Sequence, residues 1–169
     1  NPIAHLGLAQ VYRCREEPER SVPALKQALQ LDPRNPVAHL ELAFSLRQQH
    51  QRDRALEHAR IATELNPRLA EAWLLLGELL HAGTDFEGAL RAFRQSLALR
   101  PSAEAWCGLG ALMEELNRRD AAADSYRQAL ALQPDNLRAG VRLGAVLRGK
   151  GELDAAREQL EAALRTRPD

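Results

Sequence analysis

Residues 30–40 read QLDPRNPVAHL, two prolines three positions apart in a chain otherwise rich in alanine and leucine. Proline has no N–H and its ring clashes with the turn behind it, so Pro33 cannot continue a helix that arrives from Gln30. Asn35 offers a side-chain oxygen to the free N–H groups of a new helix, and Pro36 sits in a first turn where no N–H is needed. The stretch is a helix stop followed by a helix start. The same punctuation returns as LNPRLAEAW (65–73), LRPSAEAW (99–106), LQPDNLRAG (132–140) and TRPD (166–169). Pro33, Pro67, Pro101, Pro134 and Pro168 lie 34, 34, 33 and 34 residues apart, which is an internal repeat.

Inside a repeat, apolar residues recur at helical spacing in two bursts. In the third, Trp73, Leu76, Gly77 and Leu80 mark one helix and Ala89, Phe93, Ser96, Leu97 and Leu99 a second, with a break at Gly83-Thr84-Asp85. QQHQRD, NRRD and GKGELD are similar breaks. Aligned on their prolines, the five units share a leucine column (Leu8, Leu42, Leu76, Leu109, Leu143) followed by a tiny residue (Ala9, Ala43, Gly77, Gly110, Gly144). Two further columns in the second helix are small: Ser21, Ala55, Ala89, Ala122, Ala156, and Ala28, Ala62, Ser96, Ala129, Ala163. Small residues let two helix backbones approach, so the pattern predicts helices packed in register. Pro23 predicts that the second helix of the first unit starts late or is shortened.

The units AEAWLLLGELLHAGTDFEGALRAFRQSLALRP (70–101) and AEAWCGLGALMEELNRRDAAADSYRQALALQP (103–134) resemble tetratricopeptide repeats, the helix–turn–helix unit of pattern W…LG…A…F…A…P. The resemblance covers the chain as five units, about 2–34, 36–68, 70–101, 103–135 and 137–169, with His5, His39 and Gly140 in place of the aromatic residue. It implies an all-α fold: a right-handed α-α superhelical solenoid, one domain over 1–169, with first helices lining a concave face. The chain opens on Asn1 and stops at a repeat boundary, so it reads as a fragment of a longer, bacterial protein. Leu160 and Leu164 are then expected to lie exposed, with self-association through the uncapped C-terminal unit as one consequence.

Several classes of function find no support. Twenty-three basic residues against twenty-three acidic give no global field toward nucleic acid. The longest apolar run, AWLLLGELL, is too short to span a bilayer. Cys14 and Cys107 are almost three repeats apart, too far for a disulfide, which fits a reducing compartment and favours cytoplasm over periplasm. GAVLRGKG (144–151) has phosphate-loop spacing, but Gly151 stands where Ser or Thr is required and the segment runs off a helix end. Gly149 and Gly151 read instead as a helix stop. The histidines lack i, i+4 ligand spacing, and His5 and His39 are expected to pack in the aromatic column. No nucleophile–base constellation is present. The expectation is no enzyme, no cofactor and no metal.

By the resemblance, groove-lining positions give an apolar floor of Leu40, Phe44, Leu74 and Leu75. Beside it come an acidic middle of Glu78, Glu104, Glu114 and Glu115 and a basic end of Arg138, Arg142 and Arg148, with His81 on the same face. The carboxylate clamp of chaperone-tail binders is missing, since Leu6, Gln10, Glu41, Glu71 and Leu75 hold those places. The asparagine ladder of O-GlcNAc-transferase-like arrays is missing too, its places held by Gly7, Glu41, Leu75, Gly108 and Arg142. The reading is a protein-binding scaffold that takes a peptide or protein segment on its concave face. The alternative is a substrate-presenting or spacer module of a larger enzyme, such as a glycosyltransferase or sulfotransferase, whose catalytic domain lies outside this chain.

Overall fold

The computed structural model describes residues 1–166, so Pro168, the fifth boundary proline, lies outside the described residues. Among the described residues there are ten helices and no strand. They are α1 (Pro2–Cys14), α2 (Pro18–Leu31), α3 (Pro36–Gln48), α4 (Arg52–Leu65), α5 (Ala70–Ala82), α6 (Phe86–Leu99), α7 (Ala103–Glu115), α8 (Arg119–Leu132), α9 (Leu137–Lys150) and α10 (Leu153–Thr166). Odd-numbered helices are the first and even-numbered the second of each repeat. The fold is the all-α solenoid that the resemblance implies.

The helix boundaries follow from the expected chemistry. α2 ends just before Asp32 and Pro33, and Asn35 caps α3, its side chain accepting from the N–H groups of Val37 at 3.1 Å and Ala38 at 3.0 Å. Asn1, Ser102 and Asn136 do the same for α1, α7 and α9. Pro23 corrects the sequence reading: α2 spans 14 residues with the proline inside it. Pro23 and Glu19 are both exposed, so the helical bond that Pro23 cannot donate is lost on the solvent side of α2, where its loss costs least.

The small columns are buried in the packing of the helices. Ser21, Ala55, Ala89, Ala122, Ala156 and Ala28, Ala62, Ser96, Ala129, Ala163 are all at most 5% exposed. The glycines meet large partners: a Cβ on Gly110 would stand 2.7 Å from the Tyr126 ring, and one on Gly144 2.6 Å from Leu160. Leu160 is therefore half-buried rather than exposed, while Leu164 is exposed as expected.

The chain forms two compact units, 1–85 and 86–169. In the first, α2 packs between α1 and α3 and α4 between α3 and α5. In the second, α7 packs on α6 and α8, and α9 on α8 and α10. First helices also touch the next first helix (α1 with α3, α3 with α5, α7 with α9). Within each unit, among the described residues, no second helix touches another second helix. The first helices are thus the crowded layer in each unit, and the candidate site lies on that layer.

Candidate functional site

Phe44 of α3 is half-buried on the first-helix layer. The guanidinium carbons of Arg13 on α1 and Arg47 on α3 each stand 5.2 Å from its ring centroid, within reach of a cation–π attraction. Both arginines are fixed by carboxylates. Arg13 Nε donates to Glu41 Oε2 at 2.5 Å while Gln10 Nε2 donates to Glu41 Oε1 at 3.2 Å, so both oxygens of a buried carboxylate are satisfied. Arg47 pairs with Glu78 of α5. Gln10, Arg13, Glu41, Phe44, Arg47 and Glu78 thus form one continuous cluster across three first helices.

The other predicted residues of the first unit separate by burial. Leu74 is half-buried beside this layer, and His81 is half-buried. Leu75 has no exposed surface and Leu40 only 6%, so these two leucines of the expected floor lie inside the stack, between helices. In the second unit Glu114 accepts from the Tyr126 hydroxyl at 2.6 Å and lies 3.3 Å from Arg142 Nε. Burial first, and then the Glu114 carboxylate, push the Tyr126 hydroxyl well above its ordinary pKa, so it stays protonated and donating. Glu104, Glu115, Arg138 and Arg148 are exposed.

The predicted segregation of charge resolves into pairs between neighbouring first helices: Arg13 with Glu41, Arg47 with Glu78, Glu114 with Arg142. Arg13, which no sequence criterion singled out, is the member in unit one of the column that holds Arg47, His81, Glu114 and Arg148. Extending that column one repeat toward the N-terminus would have found it.

The chemical lures behave as sidechain and backbone geometry dictate. Residues 144–150 belong to α9, which runs on through Gly149, and the chain turns at Gly151, where φ is +83°. The segment is helix, and no phosphate-binding loop forms there. Cys14 is exposed and Cys107 buried, both free, with burial raising the pKa of the Cys107 thiol. Among the described residues, no three of His, Cys, Asp and Glu gather into a group able to hold a metal, and no helix is long and apolar enough to cross a membrane.

Three family models, each described as tetratricopeptide repeat, match residues 4–37, 40–104 and 103–136. The chain belongs to the tetratricopeptide-repeat family. Solved structures agree on the fold of this tetratricopeptide protein. A crystal structure of MamA is 24% identical, with a TM-score of 0.83 over 94% of this chain and 93% of that one. Pseudomonas aeruginosa PilF is 20% identical, with a TM-score of 0.91 over 98% of this chain and 76% of that one. YrrB, described as a TPR protein with an unusual peptide-binding site, is 19% identical, with a TM-score of 0.77 over 100% of this chain and 88% of that one. Comparison with curated proteins gives no match.

The tetratricopeptide aromatic column explains His39. Trp73 Nε1 donates to the Pro67 carbonyl at 2.9 Å, and His39 Nε2 lies 3.1 Å from the Pro33 carbonyl, the equivalent atom one repeat earlier. A carbonyl only accepts, so Nε2 carries a proton; in the neutral ring Nδ1 is then bare, and His58 Nδ1, 2.9 Å away, donates to it. His39 replaces the tetratricopeptide tryptophan and keeps its tie to the interrepeat loop.

Proposed function

We propose that this tetratricopeptide chain is a non-catalytic protein-binding scaffold that holds a peptide or protein segment on its first-helix layer. The observation that supports the reading is the Phe44 cluster. A half-buried ring stacked by Arg13 and Arg47, each held in turn by a carboxylate, is ordered before any ligand arrives. Preordered aromatic and guanidinium groups lose little entropy on binding, which is what an anchor site requires. Leu74 extends the apolar surface, with Glu78 and His81 beside it. Glu104, Glu114, Arg138, Arg142 and Arg148 give the second unit a polar face that sets register more than affinity. That YrrB is described as having a peptide-binding site lends the same support to the scaffold.

A displayed peptide library selected on the wild-type chain, with titration calorimetry on the selected sequences, tests this. Phe44→Asp and Leu74→Asp should each weaken binding by roughly thirtyfold, the effect of losing a hot-spot residue, with the helical circular dichroism unchanged. Selected peptides that bind both variants as well as the wild type would place the site elsewhere.

A further inference from the structure

Between the last turns of α7 and α9 the second unit has a recess of about 280 Å3, lined by Glu114, Asn117, Arg119, Ala145, Val146 and Gly149. Its form follows from the repeat columns. The counterparts of Glu114 and Ala145 in the first unit are Arg47 and Glu78, which pair with each other across the step from α3 to α5. In the second unit the first of these positions is the acid and the second carries only a methyl group. The pair is not made there, and the space it would fill is open.

The recess is set up for a cation. The Glu114 side chain is only 24% exposed. Its Oε1 accepts from the Tyr126 hydroxyl at 2.6 Å and lies 3.3 Å from Arg142 Nε, while among the described residues Oε2 accepts no hydrogen bond. A carboxylate oxygen that gives up water and gains no donor is costly, so a donor brought from outside is favoured there. Two helix ends act in the same direction. α7 ends at Glu115 and α9 at Lys150, and each C-terminus carries about half a negative charge on its free carbonyls. The second unit places one cation in this field, Arg119, whose Nη1 donates to the Gly149 carbonyl at 2.7 Å. The first unit places two, Arg52 on the Leu79 carbonyl and Arg47 on Glu78.

We infer that this recess is a socket for a lysine side chain of the bound segment, an inference that rests on the first-helix layer being the binding face. The lysine supplies from outside the cation that Arg47 supplies in the first unit. Its ammonium donates to Glu114 Oε2 and to the Asn117 side-chain carbonyl, and its methylene stem lies along Ala145 and Val146. Arginine is less suited. With Oε1 already taken by Tyr126, the forked two-bond pairing that favours a guanidinium is not available, whereas a compact ammonium needs only single acceptors.

Amide NMR of the whole chain reads this out, with N-acetyl-lysine N-methylamide as the probe and its norleucine and arginine counterparts as comparisons. The lysine compound should shift the amides of Asn117, Ala145 and Gly149 in a saturable way, half-complete at roughly 1–10 mM. Norleucine should bind at least about tenfold more weakly, and arginine should fall between. Glu114→Gln still accepts from Tyr126. Ala145→Leu keeps the carboxylate and fills the recess, at a position that holds Gln10, Phe44 and Glu78 in other repeats. Each should lose about tenfold, while Glu158→Gln, at an exposed carboxylate of α10, should lose nothing. No saturable shift, norleucine or arginine bound as well as lysine, or Glu114→Gln binding as the wild type does would overturn the socket. The probe is not a peptide, so the two readings fail separately. Peptides selected on a chain that ignores the lysine compound would leave the scaffold and remove the socket, and the reverse result would leave the lysine site and remove the scaffold.

Discussion

Each turn between a first and a second helix places one residue in the left-handed region: Glu16, His50, Thr84 and Asn117 at φ between 56° and 64°, and Gly151 at 83°. An L-residue there costs about 1–2 kcal/mol, and a β-branched one is the least suited. Thr84→Gly should therefore raise the unfolding free energy read from a urea titration by about 1 kcal/mol after the added unfolded-state freedom of glycine is counted. Gly83, the neighbouring glycine, is at φ −99° and serves another purpose, because the Arg52 guanidinium crosses the place its Cβ would take. The histidine pair gives a pH dependence. Burial, then His39, hold the His58 imidazole below its ordinary pKa, while the unfolded chain takes the proton near the usual value of about 6.5. The unfolded state binds more protons in that window, so this contribution is present above about pH 6.5 and is lost as pH falls through the lower folded value. Thermal midpoints at pH 5 and 7.5 should differ more in the wild type than in His58→Gln. The histidine in the tryptophan column was legible in the sequence. Its partner was not, because nothing in the spacing of residues 39 and 58 says that two rings will stack.

Helices are joined here by contacts of unequal tolerance. Gly110→Ala drives a methyl into the Tyr126 ring and disturbs its bond to Glu114; at about 2 kcal/mol of overpacking, partly offset by the helix propensity of alanine, it should lower the denaturation midpoint. Gly83→Ala meets only the mobile end of Arg52 and should cost less than half as much in the same titration. Arg13→Ala leaves the buried Glu41 carboxylate with Gln10 as its remaining side-chain donor. A loss of about 2 kcal/mol is expected in a chemical denaturation, whereas Arg91→Ala, which removes an exposed pair with Glu87, should change little. The alternation of tiny and large residues that makes these contacts was plain in the columns. Which glycine meets a rigid ring and which a flexible arm depends on the helix opposite.

Each of the two compact units has stability that comes from neighbouring helices, since one hairpin of this length buries too little alone. Peptide binding that draws on Arg138, Arg142 and Arg148 should weaken as salt rises from about 50 to about 500 mM, because screening acts on charges. The sequence by itself determined the ten helices, the Asn35 cap, the period of the repeat and its small columns. The helices and the cap are set within a helix or between residues one turn apart, where covalent geometry leaves little choice, and the columns follow from the repeat. Only the tertiary structure decided that Leu40 and Leu75 are buried while Phe44 is half-buried and flanked by two arginines. It also decided that the charges pair between first helices. Those facts depend on how closely neighbouring helices approach and how far each is rotated about its own axis. Side-chain packing over the whole interface sets both, and no single residue does.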